Sequence, residues 1–190
     1  MKLREIVLKT RSYRRFDESH RIEYRTLEDL VDLARLSASG ANRQPLKFIL
    51  LNSPEDCARI FPSLVWAAYL KEWDGPEPGE RPSGYIIILG DKNIAEGFGV
   101  DHGIAAQSIM LGASEAGLGG CMIASIRREQ LRKELKIPEK YEILLVLALG
   151  KPVENVIIDR LKDGDVKYWR DEKMNHHVPK RPLDELIIKL

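Results

Sequence analysis

Apolar runs of strand length alternate along this chain with amphipathic segments, a pattern that predicts a globular protein of mixed helix and sheet. Three observations carry that expectation. Leu27, Leu30, Val31 and Ala34 recur along one helical face, and Phe48-Ile49-Leu50-Leu51 follows as a short apolar run best read as a buried strand. Tyr85-Ile86-Ile87-Ile88-Leu89 has the β-branched content of a central strand. Ile143 to Leu149 forms a third apolar run, closed by Gly150-Lys151-Pro152. At 190 residues the chain suits one domain, or one subunit whose core a partner completes.

Composition narrows the functional classes. With 30 basic and 29 acidic residues the net charge is +1, which gives no global reason to expect a nucleic-acid or membrane-surface partner. Cys57 and Cys121 lie far apart and have no neighbours at metal-ligand spacing, so neither a disulfide framework nor a metal site is expected. The first residues carry charges where a signal peptide would need its apolar core, and no apolar run approaches the ~20 residues of a membrane span. The expected location is the cytoplasm.

Taken in order, the chain opens with a short helical stripe, Leu3, Ile6 and Val7, that breaks at Thr10. Arg11-Ser12-Tyr13-Arg14-Arg15-Phe16 then packs three guanidiniums and a hydroxyl into six residues. The planar donor fork of arginine suits a phosphate, while a solvated basic turn is the competing reading. Thr26-Leu27-Glu28-Asp29 resembles a capping box with Asp in the place of Glu or Gln, opening the second helix. That helix ends in the loop Ser37-Ala38-Ser39-Gly40-Ala41-Asn42-Arg43-Gln44-Pro45. Asn42 and Gln44 both donate and accept hydrogen bonds, as the edge of a planar heterocycle requires, and Gly40 lets backbone approach a ring. An ordinary polar loop has the same composition.

Val65 to Leu70 admits a helix, and the Pro/Gly-rich stretch Asp74–Pro82 is a loop. The most apolar helix is expected from about Ile94 to Ala116. Its small residues Ala105, Ser108, Gly112 and Ala116 suit close approach to another helix, and its all-round apolarity suits burial against a second subunit. Gly117-Leu118-Gly119-Gly120 reads as a helix stop. Because it follows a helix instead of opening one, it is no dinucleotide fingerprint. Arg128 to Leu135 predicts a short charged helix. Beyond Pro152 the periodicity fades, yet Tyr168, Trp169 and Leu186-Ile187-Ile188 demand burial. A tail that wraps a partner explains this better than disorder does. His176-His177 lacks carboxylates at ligand spacing, which argues against a metal there.

Three segments together resemble the nitroreductase family of FMN-dependent oxidoreductases. Arg11-Ser12-x-Arg14-x-Phe16 is similar to the family's phosphate-binding motif, and Ser39-x-x-Asn42-x-Gln44-Pro45 before a strand to its flavin loop. Asp101-x-Gly103-x-Ala105-Ala106-Gln107, running to Gly117-Leu118-Gly119-x-Cys121, is similar to its long dimer-interface helix and the following turn. Ala148-Leu149-Gly150-x-Pro152 and Lys180-Arg181-Pro182 fall where the family has its last core strand and a basic tail segment. Two departures stand out. Leu46 occupies the position of a tryptophan common in the family, and the helical insertion over the pocket of larger members is missing.

The resemblance implies an α+β fold with a mainly antiparallel central sheet flanked by helices, in an intertwined homodimer. Residues 1–190 would form a single domain, with 153–190 a tail wrapping the partner subunit. FMN is the implied cofactor. Arg11, Ser12 and Arg14 would hold its phosphate and the N1–C2 edge of its ring, and the loop with Ser39, Asn42 and Gln44 would reach it from the second subunit. Backbone at Met122, Ile123, Ala124 and Ser125 would lie by the isoalloxazine, and Lys180 and Arg181 would return to the phosphate. NADH or NADPH would deliver a hydride to flavin N5, and a nitroaromatic, quinone or similar planar acceptor would then be reduced in ping-pong fashion. No side chain is expected to be catalytic. A non-catalytic FMN-binding protein, or another reductive reaction such as dehalogenation, is the alternative.

Overall fold

The computed structural model describes residues 2–70 and 72–189. Five antiparallel strands form the central sheet: β1 (Phe16–Asp17), β2 (Leu46–Leu51), β3 (Gly84–Asp91), β4 (Gly119–Ile123) and β5 (Tyr141–Pro152). The long β5 is the hub, pairing with β1, β3 and β4, while β2 extends the sheet beyond β3. The expected α+β fold with a mainly antiparallel sheet is the observed one.

Strand alternation sends side chains to two cores. Tyr85, Ile87 and Leu89 of β3 face one layer, where α3 (Pro54–Ile60) and α5 (Arg128–Leu135) pack. Ile86 and Ile88 face the other, covered by α2 (Tyr24–Arg35) and α4 (Asp101–Glu115). On β5 the parity changes: Ile143 shares a core with Val146 and Ala148, whereas Leu145, Leu147 and Leu149 face the opposite layer. A register shift opposite Ile88/Leu89 supplies the extra residue that makes this possible.

Several local expectations are corrected. The apolar helix begins at Asp101, not Ile94, because residues 91–100 turn repeatedly and Gly99 takes φ +48°. Val65 to Leu70 is not helical, with Ala67 at φ +38° in the left-handed region. Helix α2 starts at Tyr24 with Glu23 as its cap residue, so Thr26 lies inside the first turn and makes no cap hydrogen bond. Strand β2 is an edge strand and only half-buried.

Gly112 does not lie on an outward small-residue face. A Cβ built there would sit 2.3 Å from Leu33 Cδ1 and 3.0 Å from Leu30 Cδ2, so its small size serves the α2–α4 contact within the chain. The expected helix stop is present: Gly117 takes φ +76°, Leu118 N–H donates to the Ala113 carbonyl, and Gly117 N–H to that of Ser114.

The loop at 74–82 is pinned down, not free. Arg15 Nε donates to Glu80 Oε2 at 2.6 Å, and Phe16 N–H to the Glu80 carbonyl at 2.9 Å. After Pro152 the chain forms a second sheet that sequence periodicity did not suggest. In it β6 (Val156–Arg160) pairs in parallel with β8 (His176–Lys180), which pairs antiparallel with β7 (Trp169–Arg170). The final turn, α6 (Leu183–Leu186), leaves Leu183, Leu186, Ile187 and Ile188 exposed.

Candidate cofactor site

The arginine segment is placed by its contact with β4. Ser12 bridges Gly120, and Tyr13 N–H donates to the Gly120 carbonyl at 2.9 Å. Tyr13 can lie this close because Gly119 has no side chain; a Cβ there would come within 2.6 Å of Tyr13 Cδ2. The glycines after α4 therefore do two jobs, and only the helix stop was legible in the sequence.

This docking lines a cavity of about 320 Å³ with Arg11, Ser12 and Arg14 from the segment, Gln107 and Met110 from α4, and Met122 from β4. The tail completes it with Tyr168, His176, Val178 and Lys180. Arg14 is only 9% exposed. Its backbone N–H donates to Glu154, its Nη1 to the Ser12 carbonyl at 3.3 Å and to His176 Nε2 at 3.1 Å, and its guanidinium lies 4.7 Å from the Tyr168 ring centre. Glu154 also accepts from Arg170 at 3.4 Å, and Arg170 stacks over Trp73. Arg11 Nη2 donates to the Val7 carbonyl at 2.8 Å. Among the described residues, no carboxylate pairs with the side chains of Arg11, Arg14 or Lys180. The cavity thus collects cations without neutralising them, as an anion-binding site requires.

On β4 the alternation separates the expected contacts. Met122 faces the cavity, while Ile123 and Cys121 point into the core. The Ala124 carbonyl accepts weakly from Arg128 at 3.4 Å, and the Ser125 carbonyl accepts from Val65 N–H at 3.0 Å. Burial pushes the Cys121 thiol up, away from the thiolate a nucleophile needs. Arg181 turns outward and pairs with Glu185 at 3.1 Å, outside the cavity.

The polar loop lies elsewhere. Ser39, Gln44 and Asp101 line a separate cavity of about 240 Å³ that shares no residue with the first. Both border α4, but Ala105 lines one and Gln107 the other, roughly 200° apart around the helix axis. Within one chain the arginine segment and the carboxamide loop are therefore not brought together. Asp101 anchors the loop: Ser39 Oγ donates to its Oδ2 at 2.6 Å and Gly40 N–H to its Oδ1 at 2.9 Å. Gln44 Nε2 donates to Asn42 Oδ1 at 3.1 Å. Ala41, Asn42 and Gln44 all take positive φ near 50°, a conformation that costs non-glycine residues energy and holds Asn42 and Gln44 out toward solvent.

The tail holds the residues that sequence reasoning missed, Glu154, Tyr168 and His176. His177, on the other side of β8, lies between Asp159 at 2.7 Å and Asp171 at 3.4 Å and stacks on Trp169. Burial pulls its pKa down, but the two carboxylates outweigh this and leave it raised. No group of His, Cys, Asp and Glu among the described residues is arranged to hold a metal ion. None of their helices is long and apolar enough to cross a membrane.

Comparisons with known proteins agree with this fold. The chain is 29% identical over 179 residues to a Bacillus subtilis protein named "Putative NAD(P)H nitroreductase YodC", covering 78% of this chain and 89% of the relative. A nitroreductase family protein from Clostridium novyi NT superposes with a TM-score of 0.66 at 23% identity, over 80% of this chain and 87% of that one. A protein from Clostridium difficile R20291 described as an FMN-dependent nitroreductase superposes at 0.62 with 23% identity, over 88% and 92%. The model of the nitroreductase family matches residues 7–151, which span the arginine segment, the polar loop, α4 and the central sheet up to Lys151. The chain belongs to the nitroreductase family.

Proposed function

We propose that the protein is an FMN-dependent oxidoreductase that passes reducing equivalents from NADH or NADPH to a nitroaromatic, quinone or similar planar acceptor. The observation that carries this is the set of cations with no carboxylate partner among the described residues, Arg11, Arg14 and Lys180, around a cavity that also holds the Ser12 hydroxyl. The donor set fits a phosphate, and the thioether-bearing Met110 and Met122 beside it fit a planar ring. The relatives named as NAD(P)H and FMN-dependent nitroreductases support the same reading.

When bound, FMN would supply the hydride chemistry, accepting at N5 from the nicotinamide and passing the electrons to the acceptor. The chain's residues would bind and orient. Arg11, Ser12, Arg14 and Lys180 would hold the phosphate-bearing end, and Arg14 would add positive charge beside the ring. Cys121 takes no part, because it is buried in the core with its thiol protonated.

The separation of the two cavities on opposite sides of α4 favours a homodimer in which the Ser39, Asn42 and Gln44 loop of a second copy faces this chain's arginines. In that arrangement residues 1–190 act as one domain. The exposed Leu183, Leu186, Ile187 and Ile188 are the part of the tail that embraces the partner.

The test is the absorbance spectrum. The purified protein, supplied with FMN and desalted, should retain a flavin spectrum that bleaches anaerobically with NADH or NADPH and returns on adding menadione. Arg14→Ala should weaken FMN binding by roughly 1.5–3 kcal/mol, the scale of a charge-assisted hydrogen bond. A protein that remains colourless after exposure to FMN overturns the reading. One that holds flavin but never bleaches would be a binder without turnover.

A further inference from the structure

Arg14 is gripped from three directions by the tail: Glu154 accepts its backbone N–H, the Tyr168 ring lies against the guanidinium, and His176 Nε2 accepts from Nη1 at 3.1 Å. His176 is completely buried. It stands on the face of β8 that, with Val178 and Lys180, closes the cation-lined cavity, while His177 and Pro179 line a groove on the opposite face. A guanidinium has only donors, so the imidazole nitrogen facing it must present a lone pair. The proton then resides on Nδ1, and the ring is neutral. Nδ1 finds no hydrogen-bond partner among the described residues. A leucine or phenylalanine would fill the same space without a buried, unpaired N–H, so packing alone does not account for a histidine here. A carboxylate would hold Arg14 equally well, yet it would cancel the charge that an anion is to meet.

We propose that His176 is a positioning residue of the anion pocket, its Nε2 lone pair fixing the Arg14 guanidinium so that the remaining N–H groups are left for the phosphate-bearing cofactor. The inference rests on the cofactor reading given above and extends it to the second sheet, which lies beyond the segment matched by the family model. Burial and the neighbouring charges of Arg14, Arg170 and His177 push the His176 pKa down to about 4, so the acceptor state prevails at neutral pH.

Two measurements decide the role. In the first, ¹⁵N-histidine NMR of the flavin-free wild type at pH 7 should show His176 as the neutral Nδ1–H tautomer. An imidazolium or an Nε2–H tautomer overturns the proposal. In the second, FMN affinity is read by flavin fluorescence at fixed salt. His176→Phe, which keeps the volume but not the acceptor, should weaken binding roughly tenfold, the scale of one lost hydrogen bond to a charged group. His176→Gln, whose amide oxygen can accept, should stay within about threefold of wild type. In an Arg14→Ala background His176→Phe should change nothing further. Equal affinities of wild type and His176→Phe, or a penalty that persists without Arg14, overturn the proposal. Should His176→Phe fail to fold, the tautomer and the His176→Gln affinity still decide. A wild type that binds no FMN sinks the cofactor reading instead; the tautomer measurement and the same variant series, read with inorganic phosphate, then judge His176 alone.

Discussion

Ser39 and Asp101 stand 62 residues apart in the chain, yet the serine hydroxyl donates to the aspartate at 2.6 Å, and the same carboxylate accepts the Gly40 N–H. This one side chain ties the polar loop to the start of α4. Ser39 Oγ in turn accepts the Gln44 N–H, closing the loop on itself. Asp101→Ala should therefore cost about 1–3 kcal/mol in denaturant titration, because two donors lose their shared acceptor. Asp101→Asn, which retains an oxygen toward Gly40, should cost less. Equal losses in the two variants would mean the loop is held by other contacts.

Acid should destabilise the protein through His176. Its folded pKa of about 4 lies below the ordinary 6.5, so between these values the unfolded chain binds the extra proton. Stability then rises with pH across that window, by about 3 kcal/mol in total. Urea titrations at pH 7 and pH 4.5 should show a smaller acid loss for His176→Gln than for wild type. His177 runs the other way, since its raised pKa gives a contribution present below 6.5 and lost as pH rises through the folded value. An unchanged acid loss in His176→Gln would place the sensitivity elsewhere.

Gly112→Leu should destabilise the folded chain itself. The added side chain would collide with Leu30 and Leu33 of α2, at a cost of about 1–3 kcal/mol for over-packing. That loss should be independent of protein concentration. A strongly concentration-dependent loss would instead return Gly112 to a subunit interface.

Removal of residues 183–190 deletes the exposed Leu183, Leu186, Ile187 and Ile188 but leaves the three-stranded sheet and its grip on Arg14 intact. Sedimentation should show weaker self-association, and thermal stability of the truncated chain should become less dependent on concentration. A truncated chain that associates as strongly as the full one would free this segment from any role in the proposed dimer.

Steady-state rates with NADH and menadione should give parallel double-reciprocal lines, as one cavity used by two substrates in turn requires. Cys121→Ala should keep most of the turnover, because its thiol is buried in the core on the face of β4 opposite Met122. Intersecting lines would require room for both substrates together, and complete loss with FMN still bound would implicate the thiol.

Periodicity and residue type alone determined the main elements of this protein. The stripe of Leu27, Leu30 and Ala34 makes α2, the runs at 85–89 and 143–149 make the two central strands, and Gly117 ends α4. Each is written locally, in side chains a few residues apart that must share one face or one φ. The grouping of Arg11, Ser12 and Arg14 was likewise visible, because the three are neighbours in the chain. What only the tertiary structure decided are contacts between distant segments: Asp101 beneath Ser39, Gly119 against Tyr13, Gly112 against Leu33, and the tail folded back over Arg14. The second sheet was hidden because its strands are short and half-exposed, so they leave no long apolar run to read. In the sequence His176 was half of an adjacent histidine pair with no carboxylates at ligand spacing. It becomes a buried acceptor because strand pairing sends adjacent residues to opposite faces, one toward Arg14 and the other toward Asp159.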